Sequence, residues 1–380
     1  MKKLLIIGIR GPKTDDGILV GGSQKVPYRV FKALSSCKQL DTTFWYFNGP
    51  NFEEANFLGN KRISKINAIP AKLYLKTIFR EFALLVRLKE LRGFDLIQVH
   101  HPHYALILGV LKKIGLIKSK LIVKAHGTAV PENISQGHRN IRYLIFLMNA
   151  HIHKFHDRMA LRLADKVLVS SRYQIAEMLK IYHVSLDKIS VIYNGYDGEY
   201  FNIAKSKKPS SSPKLIVVGR IVEKKNIIYA IELKKHLDNI LGQSVPLTII
   251  AGESNAVENK QVYKRLLKEI SSCSSINLLH NLSEKQLQDE LSQHTILLVP
   301  SKHYESIPSV IYEGLATHNY VLAPKKWGIP EVLGESLYLE FSLEQDAHTI
   351  IEITRNNLTN PVEVANYSYS SLSQKYMELY

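Results

Sequence analysis

Arg220 and Lys225 stand five residues apart in GRIVEKKN, directly after the apolar run LIVV. Two long cations at the carboxyl end of a strand can hold the oxygens of a diphosphate and stabilise the charge it gains as a leaving group. Taken alone, the pair would read more readily as solvated charges at a strand-to-helix turn. Downstream, ILLVPS leads into KHYESIPSVIYEGLA, where Glu305 and Glu313 are eight residues apart. Pro308 suits the first turn of a helix, with Ser306 or Ser309 available to cap it, so Glu305 is expected in the preceding loop and Glu313 inside the helix. The N–H groups of that helix start can bind phosphate oxygens, and a carboxylate can accept hydrogen bonds from vicinal sugar hydroxyls. No Asp-x-Asp occurs that would chelate a diphosphate-bound metal, so Arg220 and Lys225 are expected to take over the metal's role.

His126 follows LIVKA, which reads as a strand, and is expected at the strand's carboxyl end. His100, His101 and His103 cluster at another strand end, but the sequence shows no carboxylate or cysteine companion to complete a metal site. Cys37 and Cys273 are the two cysteines, without metal-ligand spacing, which excludes a disulfide framework and fits a reducing cytoplasm.

These residues need strands to carry them. Lys3 to Ile9, Leu96 to His100, Leu121 to Ala125 and Lys166 to Ser170 are short apolar runs, each ending in Gly, His or Ser and separated by helix-like stretches. That is the pattern of buried parallel strands with crossover helices. The alternation restarts with Leu215 to Val218, Leu247 to Ala251, Ile276 to Leu279, Ile296 to Val299 and Tyr320 to Ala323. Between the two sets, AKSKKPSSSP at 204–213 has a linker composition. The expected architecture is α/β, with two Rossmann-like doubly wound domains facing a central cleft and ligands outside the carboxyl ends of the strands. The expected bounds are 1–204 and 205–365, followed by a last segment at 366–380. A chain of 380 residues has the length for two such cores.

With 45% apolar residues the composition is globular, and no run reaches the ~18 apolar residues of a spanning helix. The opening MKKLLIIGIRGP reads as a first buried strand and not as an export signal, because its apolar run stops at Arg10. Residues 1–204 hold 31 of the Lys and Arg against 15 Asp and Glu, so the whole excess of +16 lies in the first half. Such a half favours an anionic partner. Nucleic acid does not fit, because the basic residues are spread over 200 positions without a recognition helix or stacking platform.

In chain order, GGSQKVPYRVFKAL at 21–34, HGT at 126–128, VSSRYQI, VIYNGYDGEYF, GRIVEKKN, VPSKHYESIPSVIYEG and GIPEVLGE resemble the signature series of the family 4 glycosyltransferases with the GT-B fold. The likeness extends over nearly the whole chain, and it implies that 366–380 is a terminal helix crossing back to the first domain. It implies that Arg220 and Lys225 bind the donor diphosphate, that Glu305 contacts the transferred sugar and that Glu313 binds the ribose hydroxyls. Backbone groups of Ile307, Pro308, Ser309 and Val310 would approach the sugar and phosphates, Gly22 would let the main chain come close to a phosphate in the turn after the first strand, and His126 would lie near the reacting carbon. The family retains anomeric configuration, which implies front-face attack with the departing phosphate taking the acceptor's proton. No cofactor or metal is expected beyond a nucleotide diphosphate sugar as co-substrate, a UDP-sugar ahead of a GDP-sugar. The implied acceptor is a glycan or a lipid-linked sugar, the implied setting bacterial surface polysaccharide synthesis in the cytoplasm.

Several positions depart from the family pattern. Ser306 and Pro308 stand where glycines are frequent, His318 and Tyr320 replace a usual Gly and Pro, and Trp327 occupies a place often held by Gly. These departures leave a sugar-nucleotide epimerase of the same fold, or a noncatalytic partner subunit, as competing readings. KLYLKTIFREFALLVRLKEL at 72–91 places Leu75, Ile78, Phe79, Phe82, Leu85 and Val86 on one helical stripe, with Lys72, Lys76, Arg80 and Arg87 outside it. Such a helix can pack its stripe on a sheet or lie at the anionic inner face of a membrane.

Overall fold

The computed structural model describes residues 1–10, 22–48, 62–66, 73–126, 141–201, 212–252 and 260–380. These form two compact units. One holds the described residues of Met1–Lys13, Ser23–Tyr193 and Leu372–Tyr380, and the other is built on Asn194–Ser371.

In the first unit, β1 (Lys2–Arg10), β2 (Leu40–Asn48), β3 (Arg62–Lys65), β4 (Leu96–His100), β5 (Lys120–Ala125), β6 (Lys166–Val169) and β7 (Ile189–Val191) form one sheet in the order β3-β2-β1-β4-β5-β6-β7. All neighbours are parallel. Runs of Ile, Leu and Val had marked β1, β4, β5 and β6. The strands β2, β3 and β7 escaped that reading: β2 is LDTTFWYFN, whose interior is aromatic, and β3 and β7 are only four and three residues long. The apolar face of β4 and β5, through Ile97, Val99, Leu121 and Val123, packs in a core with Leu108, Leu161 and Tyr104. The opposite face of the same strands carries Gln98, His100 and Lys124, all fully buried, beside the apolar Leu96 and Ile122. Residues of the last helix, Tyr369–Met377, and the chain after it cover that face: Lys124 Nζ donates to the Tyr376 hydroxyl at 3.0 Å, and Lys120 Nζ to the Leu379 carbonyl at 2.6 Å.

In the second unit, β8 (Leu215–Arg220), β9 (Leu247–Gly252), β10 (Ile276–His280), β11 (Ile296–Leu298) and β12 (Tyr320–Leu322) form a parallel sheet in the order β10-β9-β8-β11-β12. All five strands coincide with apolar runs. Strand order reverses between β8 and β11, and in doubly wound sheets ligands bind at such a reversal, beyond the strands' carboxyl ends. The helix Ser309–Ala316, which follows β11, lies close on the sheet because Gly314 has no side chain: a Cβ there would come within 2.4 Å of Leu297 Cδ2. The two units are thus parallel, Rossmann-like α/β domains.

The stretch 72–91 departs from the single amphipathic helix expected of it. Lys72 lies outside the described residues. The helix Leu73–Val86 ends before Arg87, and a separate turn spans Leu88–Leu91. Arg80, expected on the solvent side, is buried, because its guanidinium donates to the Tyr104 hydroxyl at 2.7 Å and lies 5.7 Å from the Phe47 ring centroid. Phe82 and Val86, expected within the packed stripe, are 55% and 89% exposed. A hydrogen-bonded, ring-stacked arginine has displaced part of the apolar face from the core. The linker at 204–213 lies outside the described residues up to 211.

Candidate active site

Arg220 ends β8 and is exposed, and the chain then turns through Glu223–Lys225 before entering the helix Ile227–Leu241. Lys225 folds back toward the loop after β11, and its Nζ lies 2.6 and 2.8 Å from the two carboxylate oxygens of Glu305. Lys224 Nζ is 3.8 Å from the same carboxylate, and the Lys302 N–H bonds the Lys224 carbonyl at 2.9 Å, so the two loops are stitched together. The reversal between β8 and β11 therefore brings Lys225 and Glu305, 80 residues apart in sequence, into one ion pair. The pair is only slightly open to solvent, 18% for Lys225 and 10% for Glu305, and a partly screened pair of this kind contributes about 1 kcal/mol.

Ile307, Pro308 and Val310 are buried, with Ser309 partly so, at the start of the helix Ser309–Ala316. Neither Ser306 nor Ser309 caps it. Pro308 itself is the N-cap, at φ −60° and ψ 132°, and among the described residues there is no side-chain cap bond. Helix geometry leaves the Ser309 and Val310 N–H groups without intrahelical acceptors, so the first turn points donors out of the helix start. Glu313 sits within the helix and is buried, not an exposed helical carboxylate.

Two of the family departures have a backbone signature. His318 and Trp327 both adopt φ 56°, the left-handed region where glycine is unstrained. Both positions thus hold a backbone shape that glycine takes without strain, while carrying large side chains. Trp327 sets its ring edge-on to Tyr304, at 6.3 Å between centroids, next to Glu305 in sequence. Ser306 and Pro308 have no such positive φ, so nothing in the backbone demands glycine there. The sequence reading passed over Asn226, which follows Lys225, takes φ 50° and is buried with its side-chain Nδ2 unpaired among the described residues. A residue able to hold the left-handed conformation just after a cation pair was the available signal.

In the first unit His126 follows β5, as expected, and belongs to a buried line of side chains. His100 Nδ1 lies 3.1 Å from His126 Nε2, and Gln98 Nε2 lies 2.7 Å from His100 Nε2. Burial holds both imidazoles well below their usual pKa, with the neighbouring Lys124 charge adding to the effect. Lys124 itself is pushed down to about 7 by burial. The histidine cluster does have a carboxylate companion, contrary to the sequence reading: His103 Nδ1 lies 2.6 Å from Asp157 Oδ1, from a helix 54 residues away. His156, beside Asp157, bonds Glu81 at 2.9 Å. Among the described residues no group of His, Cys, Asp and Glu is arranged to hold a metal ion. Gly22 is the first residue of the helix Gly22–Ser35 and not part of a turn, a position where glycine is tolerated, and residues 11–21 before it lie outside the described residues, as do Gly127 and Thr128. Both cysteines are free.

Residues 20–200 match the family profile described as Glycosyltransferase Family 4, and residues 199–356 match that described as Glycosyl transferases group 1. No curated protein sequence matches. Among solved structures, a sucrose-phosphate synthase from Thermosynechococcus elongatus is similar over 100% of this chain and 98% of its own, with TM-score 0.75 at 16% identity. The trehalose-phosphate synthase of Burkholderia vietnamiensis is similar over 100% and 96%, with TM-score 0.73 at 15% identity. Anabaena HepE, solved in complex with UDP-glucose, is similar over 100% and 99%, with TM-score 0.70 at 14% identity. The matched profiles and the two parallel-sheet domains make the chain a glycosyltransferase of the GT-B type.

Proposed function

We propose that the chain is a retaining, metal-independent member of glycosyltransferase family 4 that moves a hexose or N-acetylhexosamine from a UDP-sugar to a glycan or lipid-linked acceptor in bacterial surface polysaccharide synthesis. The observation that carries the reading is the meeting of Lys225 with Glu305 at the β8–β11 reversal, with Arg220 at the end of β8 and the helix start Ser309–Ala316 beyond β11. Cations and helix N–H groups there suit a diphosphate, and Glu305 suits sugar hydroxyls. Glu313 is assigned to the ribose and His126 to the sugar. A UDP-sugar is favoured because a protein of similar fold is solved with UDP-glucose. In this reading Arg220 and Lys225 stabilise the leaving diphosphate, which takes the acceptor's proton as the new bond forms on the same face.

A ligand that binds only the folded state raises its melting temperature. A UDP-sugar is expected to raise Tm by several degrees more than the matching GDP-sugar, and slow hydrolysis of that donor without acceptor should give the free sugar of unchanged anomeric configuration. No shift with any nucleotide sugar would sink the reading, and an epimerised product would favour the other enzyme class.

The basic first unit is assigned, in the same proposal, to the anionic inner face of the cell membrane. Its helices Leu73–Val86 and Ile141–Leu163 pack together and carry exposed Phe82, Val86 and Phe155, the last 66% exposed. Among the described residues no helix is long and apolar enough to cross a membrane. Vesicles rich in phosphatidylglycerol should bind the protein at low salt and release it at high salt. Equal binding to neutral phosphatidylcholine vesicles would remove the electrostatic part of the assignment.

A further inference from the structure

We propose that Tyr380 and Gln98 are positioning residues that act through His100 to fix the tautomer of His126, so that His126 offers an N–H donor, and never a bare nitrogen, from Nδ1. The argument runs along four side chains of the first unit. The Tyr380 hydroxyl bonds the Gln98 Oε1 atom. That bond is the hydroxyl's sole partner among the described residues, so the phenolic hydrogen must go to an oxygen, and the amide cannot turn over without leaving that hydrogen orphaned in a buried place. Gln98 Nε2 therefore faces His100 Nε2, 2.7 Å away, as a donor. Two N–H groups cannot face each other at that separation, so His100 accepts at Nε2 and carries its hydrogen at Nδ1. From there it donates across 3.1 Å to His126 Nε2. His126 in turn accepts at Nε2 and carries its hydrogen at Nδ1, a buried atom without a partner among the described residues.

The line works as a one-way relay only because neither imidazole is charged. Both are held neutral by burial, and the Lys124 ammonium disfavours a second cation next to them. The residues Gln98 and His100 lie two apart on one face of β4, and Tyr380 reaches that face as part of the segment Leu372–Tyr380. A neutral donor can hydrogen-bond a sugar hydroxyl or a ring oxygen, while a bare nitrogen would accept a proton. The tautomer follows from the hydrogen-bond geometry of two neutral rings; its effect on turnover rests on the glycosyltransferase reading above.

Ring-nitrogen spectroscopy tests the inference on the full chain with histidine labelled in 15N, the His126 signals being assigned by their loss in His126→Gln. The wild type is expected to show hydrogen at Nδ1 and a bare Nε2 for His126. Gln98→Met, which keeps the volume and removes both amide groups, and Tyr380→Phe, which frees the amide to turn, should each give a mixture of tautomers. Both variants should also lower kcat about tenfold while the donor KM stays within about threefold, since the wrong tautomer loses an interaction and not a binding site. Hydrogen at Nε2 in the wild type, or a pure Nδ1–H form persisting in Gln98→Met, would overturn the proposal. A shifted tautomer with unchanged kcat would overturn the positioning role. If no nucleotide sugar is turned over at all, the functional reading fails, whereas the tautomer result stands by itself.

Discussion

Glu305→Ala is expected to lower kcat/KM about 10³-fold, the scale of losing one preorganised contact to the reacting group. The loss should fall on kcat. Nucleotide affinity should hold or tighten, because Lys225 Nζ, now 2.6 Å from Glu305 Oε1, is released to the diphosphate. The converse variant, Lys225→Met, should raise KM for the donor and weaken UDP binding. Isothermal titration with UDP and steady-state rates for both single variants and the double variant decide the matter. In the double variant the two effects should not add, since the residues are in contact. Unchanged turnover in Glu305→Ala would refute its assignment to the transferred sugar.

His156→Gln should destabilise the first unit by about 3–5 kcal/mol near pH 6.5, lowering its Tm by roughly 10 °C, because it leaves the buried Glu81 without its cation and Asp157 with His103 alone. Burial alone would push the His156 imidazole down, but the Asp157 and Glu81 carboxylates outweigh it and raise it to about 9. A value raised in the folded state means that folding takes up a proton between the ordinary histidine value and about pH 9. The stabilisation is therefore complete below about pH 6.5 and is lost as pH climbs through 9, an amount of about 3 kcal/mol. Lys124 works in the opposite sense: its value is lowered to about 7, so its cost is present below pH 7 and is relieved as pH rises toward 10.5. Comparing wild type with His156→Gln cancels the lysine. Urea melts at pH 6.5 and 9.5 should show the gap between the two proteins narrowing by about 3 kcal/mol. A gap that stays constant would mean that His156 is not charged in the folded protein.

The sequence made the second unit legible almost strand for strand, because each of β8 to β12 is built on a short apolar run and the chemistry follows β8 and β11. It also placed Glu305 in a loop and Glu313 in a helix. What it could not carry was distance between remote segments. Nothing near Lys225 announces that Glu305 will close on it, and nothing near His103 announces Asp157. The capping expectation failed because a proline can itself occupy the N-cap without offering a side-chain oxygen, which spacing rules do not distinguish from a proline one residue further in. The helix 73–86 misled for another reason: periodicity counts Arg80 as polar, but a guanidinium between two rings with a hydroxyl to bond is at home in a core. Gln98 and His100 left a readable trace, two polar residues at strand spacing inside an apolar run, which marks one face of β4 as reserved for partners that can bond it.

That reserved face has a bearing on how the chain is made. Ribosomes release the amino-terminal strands first, and the residues that cover β4 and β5 on one side, Leu372–Tyr380, emerge some 180 residues after β7. At about 5–20 residues per second the sheet must wait roughly ten seconds or longer with that side bare. Glutamine, histidine and lysine break up the apolar Leu96 and Ile122 on that side and tolerate water through the delay, where an unbroken stripe of leucines would invite neighbouring nascent chains to stick.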